Sequence, residues 1–231
     1  MIAPLVLLPG LMCDSRIWTA QIGALAEDGP WAPDGYGEAA TITDMARRVL
    51  KDGPAQMSLA GHSMGARVAL EVVRLAPERV ERLALLDTGV HPRKEGEREK
   101  RLALLQLGRE QGARALVDRW LPPMVHPDRR ADVEFLRPMR DMSIDAGIDT
   151  YERQIGALLD RPDAEAALAL VKVPTLVGVG RQDEWSPIAQ HEAIVAQVAT
   201  AWLTIFEDSG HMSPVEAADQ VSDALRLWLR A

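Results

Sequence analysis

The chain has 231 residues, 47% of them hydrophobic and 26% charged, and sets 26 Lys plus Arg against 34 Asp plus Glu for a net charge of −8. With its positive charges scattered, it lacks the concentrated basic stripe that nucleic-acid or anionic-membrane partners require. The length exceeds the ~100–150-residue mode of single domains but suits one α/β domain with an insertion.

Residues 4–8 form a continuous apolar run closed by Pro9-Gly10, the pattern of a strand buried on both faces of a parallel sheet. No Lys or Arg precedes the apolar stretch 1–13, which is also too short to cross a bilayer, a span of about 20 residues, so no membrane partner is expected. Cys13 is the only cysteine. It reads as a small buried hydrophobe, permits no internal disulfide, and fits a cytoplasmic location. The chain contains no Asn, which removes both glycosylation sequons and a Cys-His-Asn triad.

From Ser15 onward, Ile17, Trp18, Ile22 and Leu25 recur at helical spacing. Residues 27–40 hold Gly29, Pro30, Pro33, Gly35 and Gly37, so any strand there is short and at an edge. A helix over 42–50, a strand over 56–60, a helix over 63–76 stopped by Pro77, and a strand over 80–86 follow. After residue 172 the pattern resumes: strand 175–179, helix 188–198, strand 202–206 and helix 215–229. Strands alternating with helices in this way predict a parallel sheet with helices on both faces.

Between Asp87 and Val173 lie 85 residues, far more than the ~10–12 of a simple crossover. This is an inserted unit. It opens with the charge run 93–101, read as a solvated helix face, and favours helix again over 133–140 and 150–159. The predicted division is a core of residues 1–90 and 170–231 with a helical cap at 91–169.

Gly61-His62-Ser63-Met64-Gly65 matches G-x-S-x-G, a weak signal alone but here set between a predicted strand and a predicted helix. Such a strained strand-to-helix turn pushes a serine hydroxyl clear of the backbone. Serine is a poor nucleophile at neutral pH and needs a base and an orienting acid. Asp183 and His211 each follow a predicted strand end and give the order Ser, Asp, His. Asp87, also after a strand end, is the competing acid; otherwise it reads as a structural cap. His62 is read as a packed elbow residue, and His91, His126 and His191 as surface or loop residues. No metal site is visible: the helix bearing His191-Glu192 has Val195 where a zinc motif needs its second His.

These motifs, with Leu8-Pro9-Gly10-Leu11, Ala76-Pro77-Glu78-Arg79-Val80, Val173-Pro174-Thr175-Leu176 and Ser209-Gly210-His211, resemble the α/β-hydrolase superfamily over essentially the whole chain. Within it the sequence is similar to short, capped esterases and enol-lactone hydrolases, and to the pyruvate-eliminating synthase of menaquinone biosynthesis. The resemblance implies the α/β-hydrolase fold, with the chain opening at what is usually the third strand and a mostly parallel sheet of about six strands. It also implies that the backbone N–H groups of Leu11 and Met64 form an oxyanion hole, although Pro9 stands where many members have His. The expected activity is that of a cofactor-free serine hydrolase cleaving a small ester, thioester or lactone through an acyl-enzyme. Carbon–carbon bond hydrolysis or pyruvate elimination by the same triad, and a non-catalytic ligand receptor on the same fold, are the alternatives. The expected partner is a small acyl substrate. Met12, Trp120, Met124, Trp185 and Met212 are candidates to line its pocket, with core packing as the competing explanation.

Overall fold

The apolar runs become five parallel strands, β1 (Leu5–Leu8), β2 (Met57–His62), β3 (Val80–Leu86), β4 (Thr175–Gly180) and β5 (Ala201–Phe206), adjacent in chain order. The computed structural model describes residues 3–231. Every residue of β1, β2 and β4 is buried, as expected of strands covered on both faces.

About six strands are predicted and five form among the described residues. The missing one falls in the Gly- and Pro-rich stretch, where Trp31 alone bridges to β1. Its N–H donates to Leu5 O at 2.8 Å and its carbonyl accepts from Leu7 N at 2.9 Å. Two residues on, Pro33 has no N–H to continue the ladder; two residues back, Gly29 is left-handed at φ 59°.

The helices are α1 (Thr19–Ala24), α2 (Ile42–Asp52), α3 (Met64–Leu75), α4 (Glu97–Gln111), α5 (Ala113–Trp120), α6 (Val133–Leu159), α7 (Ala164–Leu168), α8 (Ile188–Val195), α9 (Ser213–Glu216) and α10 (Ala218–Leu229). One layer pairs α1 with α10, where the Gln21 amide donates to the carbonyls of Pro214 and Ala218, both at 3.1 Å. Another pairs α2 with α3. Between β3 and β4 come α4 to α7, with α4 and α5 packed on α6 and α7 against α3. Non-helical Gly147, at φ 79°, divides α6 into the two pieces that the sequence predicts.

The turn from β2 into α3 passes through Ser63, held at φ 54° and ψ −114°. Its flanking glycines make room for it. A Cβ on Gly61 would lie 2.4 Å from the Gly65 carbonyl, and one on Gly65 would lie 2.3 Å from Leu8 O. Both collisions are with backbone, which cannot rotate away. Gly65→Ala should therefore cost about 2–3 kcal/mol, lowering Tm by roughly 4–10 °C in a chain of this size. A calorimetric Tm within a degree of wild type would disprove the contact between β1 and the start of α3.

Candidate active site

The carboxyl ends of β2, β4 and β5 deliver Ser63, Asp183 and His211 to one place. His211 Nε2 lies 2.8 Å from Ser63 Oγ, and its Nδ1 lies 2.8 Å from Asp183 Oδ2. The other Asp183 oxygen accepts from the backbone N–H groups of Trp185 and Ser186, both at 2.8 Å, which fixes the plane of the carboxylate. Ser63 is anchored from β3: its N–H donates to Leu86 O at 2.8 Å and its carbonyl accepts from Thr88 Oγ1 at 3.0 Å. These bonds hold a strained residue that local preference would not keep.

Asp87, the competing acid, makes no hydrogen bond to the His211 ring. Fully buried, it accepts from Gly180 N at 2.9 Å and from the Ser213 hydroxyl, tying β3 to the end of β4 and to α9. His62 is packed at the elbow, as read from the sequence, and its Nε2 donates to His211 O at 2.7 Å. His191 corrects the sequence reading: it is buried, not at the surface, and its Nε2 accepts from Thr88 N at 2.9 Å, bracing the segment that braces Ser63.

The charges follow from these contacts. Burial opposes ionisation of Asp183, but His211 and the Ser186 N–H outweigh it and hold the carboxyl below its usual range. Burial also works against a charged His211, yet Asp183, by its charge and its hydrogen bond, outweighs it and raises the imidazole above its ordinary value. Asp87 is pushed well up by burial and by the Asp183 charge. Burial, then the proximity of His211, drives His62 down to about 3, so it stays neutral.

Neither Leu11 N nor Met64 N has an acceptor among the described residues, and both residues border the cavity onto which Ser63 opens. The loop carrying Leu11 is pinned by groups that sequence reasoning passed over. Tyr36 Oη donates to Pro9 O at 2.9 Å, and Gln154, from α6, accepts from Met12 N at 2.8 Å. Glu216 was equally unheralded, its one signal being a carboxylate in an apolar stretch just after His211. It accepts from Gly210 N at 2.8 Å and Met212 N at 3.2 Å, and on its other oxygen from His126 N at 2.7 Å. His211 N in turn donates to Met124 O at 2.7 Å, so residues 124–126 and the histidine loop are bound together.

The cavity encloses about 290 Å³. Trp120, Met124, Trp185 and Met212 border it; Met12 is buried outside its lining. Cys13 also borders it, with burial pushing the thiol up to about 12. The charge run corrects a second expectation. Arg98 and Glu99 face solvent, but Glu97 and Arg101, one turn apart on α4, turn inward to the cavity with their side chains 16% and 11% exposed. His91 borders it too. Among the described residues no three His, Cys, Asp or Glu side chains gather as a metal would need, and no helix is long and apolar enough to cross a membrane.

A parallel sheet with a serine at the elbow after β2 and its hydrogen-bonding partners after later strands defines a class. The chain belongs to the alpha/beta hydrolase family, whose model matches residues 5–224, and is an enzyme of that type. It is 27% identical to a Pseudomonas savastanoi pv. phaseolicola protein provisionally named carbamate hydrolase RutD, over 91% of this chain and 87% of that one. A thermophilic esterase from Thermogutta terrifontis superposes with a TM-score of 0.90 at 28% identity, covering 99% of this chain and 89% of the esterase. The enol-lactonase of Burkholderia xenovorans LB400 shares the fold at 24% identity, with a TM-score of 0.84 over 99% of this chain and 92% of that one.

Proposed function

We propose that the protein is a serine hydrolase that cleaves a small carboxylic ester, thioester or lactone through an acyl-enzyme, with residues 91–169 as a helical cap on a core of 1–90 and 170–231. The observation that carries this reading is the unbroken chain of hydrogen bonds from Ser63 through His211 to Asp183 at the floor of the cavity. The esterase relative supports the same chemistry.

Asp183 accepts the Nδ1 proton of His211, leaving Nε2 as the acceptor for the serine proton. Ser63 Oγ bonds to the acyl carbon while its proton passes to Nε2. The N–H groups of Leu11 and Met64 hold the oxyanion, at the positive end of α3. The bond to the leaving oxygen or sulfur then breaks, and the leaving group takes the proton from Nε2. Water, deprotonated by the same nitrogen, attacks the acyl carbon; the bond from that carbon to Ser63 Oγ then breaks, Oγ takes the proton back from Nε2, and the carboxylic acid is released.

Fluorophosphonate labelling across pH tests this. His211 must be neutral to take the serine proton, and its raised pKa keeps it protonated to a higher pH than a free imidazole. The rate of Ser63 modification should thus rise through one ionisation above pH ~6.5 and then level off. A rate flat between about pH 5 and 8, or label on another residue, would overturn the assignment.

A further inference from the structure

The chemistry at Ser63 leaves one end of the cavity unused, and that end is cationic. Arg67, Arg101 and Arg161 gather there around a single inward carboxylate, Glu97. Glu97 is fully occupied: one oxygen accepts from Arg101 Nε at 3.0 Å and Arg161 Nη1 at 2.9 Å, the other from Arg161 Nη2 at 2.9 Å. Arg67 is left over. It is 9% exposed, borders the cavity, and has only the backbone carbonyl of His91, 3.2 Å from Nη2, as an acceptor among the described residues. The Arg161 Nε beside it is buried with no acceptor among the described residues.

Other carboxylates do not correct the imbalance. Glu95 and Glu184 lie exposed at the rim, Glu184 paired with Arg130, and Asp87 is spent on Gly180 N and the Ser213 hydroxyl. Lys94 and Lys100 add further positive charge at the mouth. Glu71 and Asp163, on the far side of Arg67 and Arg161, are taken by Arg74 with the Thr43 hydroxyl and by the first N–H groups of α7, so three guanidiniums against Glu97 leave two positive charges uncompensated in a protein whose net charge is −8. A buried cation without a counter-ion is costly, and an entering anion relieves that cost. Burial, then the Arg161 and Arg101 charges, push Arg67 down to about 9 against the pull of Glu97, in keeping with this crowding.

Arg67 also stands where a substrate would reach it, one turn along α3 from Ser63, about 6 Å along the axis. The edges of Arg101 and Arg161 are taken by Glu97, so a single guanidinium fork is open, which suits one planar carboxylate. Trp185, 47% exposed, borders the cavity at the surface, as do exposed Lys94 and Lys100, whereas Arg67 is enclosed.

We infer that this end of the cavity is a carboxylate subsite: Arg67, backed by Arg101 and Arg161, receives a free carboxylate at the far end of a short acyl chain, so the substrates are acidic esters, thioesters or lactones. This rests on the serine-hydrolase reading and deepens it.

The test compares mono-p-nitrophenyl adipate with its neutral methyl ester, corrected for spontaneous hydrolysis. Wild type should favour the acid in kcat/KM by ~10-fold or more, the worth of one charge-assisted hydrogen-bonded pair. Arg67→Met should collapse that ratio to near one, mainly through KM for the acid, and Arg67→Lys should restore part of it. A wild-type ratio of one or less, or a ratio unchanged in Arg67→Met, overturns the proposal. Binding is read separately on the Ser63→Ala protein, where adipate should raise Tm and the added Arg67→Lys change should weaken adipate binding several-fold. Refusal of both esters would count against the hydrolase reading, and the adipate shift would then decide the subsite alone. No adipate shift, or a shift with inorganic phosphate only, overturns it.

Discussion

Replacing Ser63 with alanine is expected to lower kcat on any accepted ester by on the order of 10⁴–10⁶-fold while Tm stays within a few degrees of wild type. The substitution keeps the Cβ that the strained turn already accommodates and removes only the oxygen that His211 Nε2 contacts at 2.8 Å. What survives should come from the free N–H groups of Leu11 and Met64 and from substrate positioning, a residual ~10³–10⁴ over the uncatalysed reaction. Single-turnover assays with an activated ester read this directly. Activity within tenfold of wild type would remove Ser63 from the mechanism.

Asp183→Asn should be nearly as damaging, about 10⁴-fold at neutral pH, and the geometry says why. The Trp185 and Ser186 N–H groups both donate to Oδ1, so the oxygen of an asparagine amide must stay there. Its NH2 group then faces His211 Nδ1, which can only accept, and the imidazole proton moves to Nε2, where it meets Ser63 instead of receiving the serine proton. Asp87→Asn lacks this consequence. An amide oxygen can keep the Gly180 N–H while its NH2 donates to Ser213 Oγ, and burial already favours the uncharged form of Asp87. Its effect on kcat/KM should be below about tenfold, the scale of a rearranged but still satisfied buried hydrogen bond. The opposite ranking would transfer the orienting role to Asp87.

Much of this arrangement was legible in the sequence, because each piece is a local pattern with a local cause. An apolar run before G-x-S-x-G and a helix after it specify the elbow. An aspartate and a histidine just past later strands sit where parallel strands end. The edge strand was legible only as short: the Gly and Pro of residues 29–37 limit it, but its reduction to a single bridge at Trp31 depends on which N–H groups face β1, a matter of register that composition does not encode. His191 was misread because a histidine on a short helix looks the same whether it faces water or Thr88. The cationic end was hidden for another reason. Arg67 is an ordinary residue of an amphipathic helix, and Arg101 and Arg161 meet at Glu97 only because α4 and the end of α6 come together. A charge run viewed in one dimension reads as solvated; packing turned two of its members inward.

The bonds from Glu216 and His211 to residues 124–126 bear on how such a protein can diversify. An insertion joined to its core only at two chain crossings could be exchanged between relatives, altering substrate choice and nothing else. Here the backbone of residues 124–126 is part of the scaffold that seats the proposed base. A recombinant that imported a foreign stretch at these three positions would import a displaced histidine with it. On this flank selectivity and reactivity are inherited as one block, whereas α4 borders the cavity through Glu97, Lys100 and Arg101 and makes no hydrogen bond to the histidine loop among the described residues, so changes there bear on selectivity.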